Sequence, residues 1–197
     1  MAAGLVVVLA GWGAWAASAG AQDVPRFMAD PAMTKGPAAA PVTIFEWSDY
    51  ECPFCQRAQD VLQRLQAEFP DTVRFVFKDF PLRSHPNALP AALAARCAGT
   101  QGRYWEYHDL LFVGQPDLSR DHLIGYARRL GLEVPGFTEC LDSGRFRDAV
   151  LAEQREGREA GVRATPTFFI NQRKIEGALP LDEFRDAIRQ ALRDAGR

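Results

Sequence analysis

Val42-Thr43-Ile44-Phe45-Glu46-Trp47-Ser48-Asp49-Tyr50-Glu51-Cys52-Pro53-Phe54-Cys55 joins a strand signal directly to a Cys-x-x-Cys pair. Val42 to Trp47 are β-branched or aromatic apart from one carboxylate, the composition of a strand. Pro53 suits the first position of a helix, where the N–H it lacks would have no partner. Ala58, Val61, Leu62, Leu65 and Phe69 then recur at helical spacing through Gln56 to Phe69, and Pro70-Asp71 ends the run. Cys52 therefore falls at or next to a helix N-cap, where unpaired N–H groups and the helix dipole favour negative charge on its sulfur. Cys55 is one turn further on, facing the same way and deeper. The thiolate is the nucleophile and leaving group of disulfide exchange, so this spacing predicts a local disulfide that opens and re-forms. A zinc half-site and a purely structural disulfide are the alternatives. Zinc would need a second cysteine pair or suitable histidines, and His85, His108 and His122 show no ligand spacing. Neither a metal nor a prosthetic group is expected.

Outward from this junction, Val73 to Phe77 reads as a second strand, which makes a βαβ unit with a right-handed crossover and parallel strands. From about His85 to Ala160 the pattern is helical, with segments at Ala91–Cys97, Tyr104–Phe112, Leu123–Leu130, Pro135–Leu141 and Arg145–Glu159. The aromatic cluster Tyr104-Trp105-Tyr107 is expected in the core of this block, and His85 and His108 as structural or surface residues. Thr167–Ile170 and Lys174–Glu176 flank Asn171-Gln172-Arg173 as a hairpin. Phe184, Ala187, Ile188, Ala191 and Leu192 form the apolar stripe of a last helix opened by Asp182. The fold class is α/β, with the order β-α-β, an all-helical block, then β-β-α.

The chain has 197 residues, 47% hydrophobic and 24% charged, which is ordinary globular usage and excludes disorder as its main state. Its net charge of -2 and dispersed basic residues leave no electrostatic footprint for nucleic acid. Leu5 to Ala17 is almost free of polar groups, and Ala19-Gly20-Ala21 fits the small-x-small pattern of signal peptidase. No Lys or Arg precedes the apolar run, which is shorter than the ~20 residues of a membrane span. Residues 1–21 are expected to be a signal peptide cleaved after Ala21, with an uncleaved anchor as the alternative. Residues 22–41, rich in Ala, Pro and Gly, are expected to form an extended arm. Export favours disulfides. With Cys52 and Cys55 paired locally, Cys97 and Cys140 are left for each other, and a structural disulfide is the main expectation. A second redox pair or two free buried thiols are the other readings.

The stretch from Trp47 to Cys55 on a strand-to-helix junction resembles the thioredoxin fold, and the helical block resembles that of the DsbA-like thiol–disulfide oxidoreductases. The resemblance runs from about Val42 to Leu192. Its other anchors are Phe77-Lys78-Asp79-Phe80-Pro81-Leu82, Gln101-Gly102-Arg103-Tyr104-Trp105 and Gly161-Val162-Arg163-Ala164-Thr165-Pro166-Thr167. It implies a thioredoxin-fold domain over residues 42–83 and 161–197 with a helical insertion over 84–160. It also implies that Pro166 is a cis-proline facing the Cys-x-x-Cys and that the backbone of Thr165 pairs with substrate peptide as an added strand. A period-2 count puts Glu46 on one face with Ser48 among apolar neighbours, a setting that raises a carboxyl pKa and suits a proton relay for Cys55. The matching position carries a buried acid in many thioredoxin-fold oxidoreductases, as the resemblance implies. Lys78, at the end of the next strand, is the expected partner of Glu46.

The implied activity is introduction of disulfides into unfolded or reduced exported proteins, in the periplasm or cell envelope, by a monomer. A quinone-linked membrane protein of the DsbB-like or VKOR-like kind would reoxidise Cys52 and Cys55. Well-known DsbA proteins carry His where this chain has Phe54, which cannot hydrogen-bond or carry charge; that departure leaves an isomerase or reductase role open. A non-catalytic peptide-binding chaperone on the same fold is the rival of another class.

Overall fold

The computed structural model describes residues 27–196. The expected signal peptide over residues 1–21, with its cleavage after Ala21, lies outside the described residues. Strand β2 (Val42–Ser48), helix α1 (Pro53–Glu68) and strand β3 (Val73–Asp79) form the βαβ unit, with β2 and β3 parallel. β4 (Thr167–Ile170) runs antiparallel to β2, and β5 (Arg173–Glu176) antiparallel to β4. Between them Asn171 takes a positive φ of 49°, a conformation that Asn tolerates well. The helices α2 (Ala88–Gly99), α3 (Tyr104–Val113), α4 (Arg120–Arg129), α5 (Val134–Ser143) and α6 (Arg147–Glu159) separate β3 from β4, and α7 (Leu181–Ala195) closes the fold.

Each face of the sheet is covered for a reason that its sequence carries. Val42, Ile44, Phe75, Phe168 and Ile170 point to one face, where Leu62 and Leu65 of α1 and Phe184 and Ile188 of α7 bury against them. Each such side chain contributes about 1.5–3 kcal/mol by leaving water. The other face presents Trp47 and Phe169, packed against Phe80 and Val162. Here α6 comes unusually close: a Cβ on Gly157 would stand 2.6 Å from the Trp47 indole, so only glycine fits. The indole N–H donates to the Glu153 carbonyl at 3.2 Å.

A second core fills the insertion. Ala91, Ala92, Ala94, Ala95 and Ala98 of α2 are buried together with Tyr104, Tyr107, Leu111, Phe112, Leu123 and Phe137. The small alanine side chains let α3 and α5 approach α2 closely. A disulfide between Cys97 and Cys140 joins α2 to α5 across a separation of 43 residues. In the chain-entropy view a loop of that size gives about 4 kcal/mol of stabilisation.

The described part of the arm, residues 27–41, differs from the expected extended tether. Phe27 packs edge-on against Phe45, Trp47 and Phe169, with centroids 5.1, 4.5 and 5.0 Å away. Asp30 caps a single 3-10 turn, Pro31–Met33, by accepting the Ala32 N–H, and Met33 is buried. Thr34–Lys35 then forms β1, antiparallel to β3, so the sheet order is β1-β3-β2-β4-β5. A two-residue strand has no pattern of its own; it exists because β3 offers it an edge. Among the described residues no helix is long and apolar enough to cross a membrane.

Candidate active site at the first turn of α1

Cys52 is the N-cap of α1 and Pro53 its first residue; Cys52 has extended backbone (φ -78°, ψ 121°) and no side chain caps the turn. Both Cys52 and Cys55 are free thiols. The two sulfurs differ sharply in acidity. The Cys52 pKa is lowered to about 5, chiefly by the hydrogen bond it receives from the Cys55 thiol, against the opposing effect of burial. Thr165 and the backbone N–H groups of Cys55 and Phe54 lower it further. Those N–H donors are the free ends of the helix, so the N-cap position itself stabilises the anion. Cys55 goes the other way: burial pushes its thiol up, and the negative charge on Cys52 and Glu46 adds to the effect. One sulfur is thus ready to act as thiolate while its neighbour holds a proton.

Elements from distant parts of the chain brace this turn. The Thr165-Pro166 peptide is cis, and the Thr165 carbonyl accepts from the Cys52 thiol at 3.5 Å. Asp49 is buried, and its carboxylate accepts from the N–H groups of Glu51 at 2.7 Å and Leu82 at 2.8 Å and from the ring of His85 at 2.8 Å. The Glu51 carboxylate accepts from the backbone and side chain of Asn87 at 2.6 and 3.0 Å. From the insertion, Gln115 donates to the carbonyls of Tyr50 and Cys52, and Gln56 donates to the Phe112 carbonyl at 2.7 Å. Pro53 and Phe54 remain exposed beside the sulfur, Phe54 with the Arg57 guanidinium 4.3 Å over its ring.

Glu46 lies beneath Cys55. It is 6% exposed, and burial raises its pKa to about 7, partly offset by Ser48 and Gln59. The Gln59 amide donates to its carboxylate at 3.1 Å. The Ser48 hydroxyl is buried and has no hydrogen-bond partner among the described residues, yet it is near enough to Glu46 and Cys55 to lower the pKa of both. The expected pairing of Glu46 with Lys78 does not occur. The register aligns Glu46 with Phe77 and Trp47 with Lys78, so alternation sends the lysine to the Trp47 face of the sheet. There Lys78 donates to the Met28 carbonyl at 2.6 Å and pairs with Glu153 and Glu156 of α6 at 3.2 and 2.7 Å. Arg96 joins the same buried network through Asp79 and Glu153 at 2.7 and 2.8 Å.

Sequence reasoning missed Gln59, Gln115 and Asp49. Gln59 had a signal, since it stands four residues after Cys55 and so on the same helix face. Gln115 had none, because only the folded insertion brings it to the turn. Cys97 and Cys140 lie in the insertion as a bonded pair, separate from the two free thiols.

A thioredoxin family model matches residues 29–190. The oxidised form of BdbD from Bacillus subtilis is 26% identical, with a TM-score of 0.75 over 82% of this chain and 92% of that one. DsbA2 of Pseudomonas aeruginosa, at 24% identity and a TM-score of 0.69, shares the fold over 84% of this chain and 96% of its own. Among curated proteins, a Na(+)/H(+) antiporter NhaA 1 of Salinispora arenicola is 41% identical over 161 residues, 80% of this chain but 24% of that protein. The chain thus spans about a quarter of the length of the curated relatives it matches. With a family match across most of its length and a free dithiol at the mouth of α1, the chain belongs to the thioredoxin family.

Proposed function

We propose that this protein oxidises dithiols of exported proteins to disulfides outside the cytoplasm. The observation that carries this reading is the placing of a free Cys52 thiol at the N-cap of α1, with Cys55 one turn on and the Thr165 carbonyl 3.5 Å away; the Cys55 thiol foremost, then Thr165 and the helix start, lower the Cys52 pKa to about 5. A stabilised thiolate stabilises the reduced form, and a stable reduced form makes the disulfide a stronger oxidant.

In the oxidised protein a substrate thiolate attacks the Cys52 sulfur, and Cys55 leaves with the bonding electrons and takes a proton from Glu46. A second substrate thiolate attacks the substrate sulfur of the mixed disulfide, and Cys52 departs as thiolate. Two substrate thiols lose two electrons; the dithiol holds them until a membrane-bound, quinone-linked partner removes them. No prosthetic group enters. The substrate backbone lies along Thr165, next to the attacked sulfur, as an added strand. Exposed Phe54 offers an apolar contact for unfolded chains.

The test is the equilibrium potential of the Cys52–Cys55 couple against glutathione. An oxidase requires a value well above thioredoxin's, about -270 mV. A value at or below that of thioredoxin would assign the protein to a reductive role. Cys52→Ala separates exchange from chaperoning: loss of all disulfide transfer is expected, whereas undiminished suppression of substrate aggregation as its only activity would favour the binding role.

A further inference from the structure

A small cavity lies under the active site, and the exchange chemistry above leaves it unexplained. Its volume is about 20 Å³, enough for one water molecule. Glu46 and Gln59 line it from the sheet and α1, and Trp105 and His108 line it from α3. Gln59 and Asp109 also line a larger surface cleft of about 320 Å³ between α1 and α3. The buried carboxyl therefore sits one polar layer away from solvent on the α3 side.

His108 has the chemistry to complete this layer. It is 3% exposed, ringed by Tyr50, Phe77, Trp105 and Phe112. Its Nδ1 lies 2.9 Å from the Asp109 carboxylate, so Nδ1 carries the hydrogen and Nε2 presents a bare lone pair. Nε2 is buried and has no hydrogen-bond partner among the described residues. A buried acceptor left without a partner destabilises the fold, and a histidine placed only to fill an apolar core would be replaced there by Phe without that cost.

We propose that His108 is a positioning residue for the proton of Glu46, holding through Nε2 a single buried water that links the carboxyl to the solvent side of α3. The inference rests on the exchange reading of Cys52 and Cys55. When Cys55 leaves and takes the Glu46 proton, the new carboxylate regains a proton through this water, which solvent resupplies past Gln59 and Asp109. In the reverse direction, attack by the Cys55 thiol hands its proton to Glu46 and out by the same route. Lys35 of β1, Asp79 of β3, Asp109 of α3 and the thiols of α1 are the charged and titratable groups facing His108 and Glu46, with the Tyr50 and Tyr104 hydroxyls beside the ring. Burial lowers the His108 pKa, which keeps the ring neutral and Nε2 free to accept.

The experiment is a stopped-flow pH series, from about pH 5 to 9, of the oxidised protein with a cysteine peptide, on wild type, His108→Phe, His108→Gln and Glu46→Gln. His108→Phe keeps the ring and removes both nitrogens, and is expected to slow the Glu46-dependent phase at least about tenfold. His108→Gln, whose amide reaches the Nε2 position, is expected to restore most of the rate. A His108→Phe profile superimposed on that of wild type overturns the inference. If His108→Phe loses its near-ultraviolet dichroism, Gln59→Leu takes its place with the same expectation, and magnetisation transfer from a long-lived water to the His108 ring in the wild-type protein decides: its absence overturns the inference. A Glu46→Gln profile unchanged from wild type overturns the exchange role of Glu46 itself, and this inference with it; an altered Glu46→Gln profile beside an unchanged His108→Phe profile overturns the inference alone.

Discussion

The sulfur of Cys52 and the carbonyl oxygen of Thr165 stand 3.5 Å apart although 113 residues separate them in sequence. The contact joins the two halves of the thioredoxin-fold domain across the insertion. It puts the Thr165 backbone beside the sulfur that a substrate thiolate would attack, so that in the proposed function binding and exchange would share one locus. The Thr165 hydroxyl is buried without a hydrogen-bond partner among the described residues, and the Thr165 side chain lowers the Cys52 pKa. Thr165→Val keeps the shape and removes the hydroxyl. It is expected to raise the Cys52 pKa and lower the reduction potential, with little change in thermal stability. An unchanged thiolate titration would show that the hydroxyl plays no part.

Glu46 predicts how stability depends on pH. Its folded-state pKa is raised from 4.5 to about 7 by burial, so the folded protein holds the proton more tightly than the unfolded chain. Its contribution is complete below about pH 4.5 and is lost as pH rises through about 7, amounting to about 3 kcal/mol. Glu46→Gln should remove that fall and be more stable than wild type at pH 8 in urea unfolding. A parallel loss of stability with pH in both proteins would contradict the buried-acid account.

Lys78 lies on the sheet face opposite Glu46, in an ion network with α6. It is 2% exposed and pairs with Glu153 and Glu156. Lys78→Met leaves those carboxylates without their cation and should cost about 3–5 kcal/mol while leaving the pH profile of exchange in place. A shifted profile with intact stability would return Lys78 to the relay.

The approach of α6 to the sheet rests on Gly157. A methyl group there meets the Trp47 indole at 2.6 Å and Phe80 at 3.0 Å. Gly157→Ala is expected to lower stability by about 1–3 kcal/mol through overpacking, read as a lower thermal midpoint. A gain in stability would mean that the helix moves away freely.

How much of this was legible in the chain depended on the range of the signal. Val42 to Trp47, Thr167 to Ile170 and the stripe of α7 were readable because their burial follows a local period. Cys52 at an N-cap was readable because Pro53 marks a helix start. β1 was not, since Thr34 and Lys35 become a strand only against β3. The partner of Glu46 was misread because a strand-end lysine can point to either face, and only the register of β2 against β3 decides which. Gln115 reaches the active turn by way of the insertion, a path with no trace in local sequence. The tight packing of Phe27 was hidden in the same way: an Ala- and Pro-rich arm reads as a tether until the aromatic face it covers is known.

The acidity of Cys52 carries the account, and ultraviolet absorbance of its thiolate in the reduced protein measures it directly. In sign, a lowered thiol pKa favours the folded reduced form fully above the ordinary thiol range, and that advantage disappears as pH falls through about 5. A single thiolate titrating near pH 5 is expected, lost in Cys52→Ser, with Cys55 silent to the alkaline limit. A midpoint near 9, the ordinary value for a thiol, would contradict it.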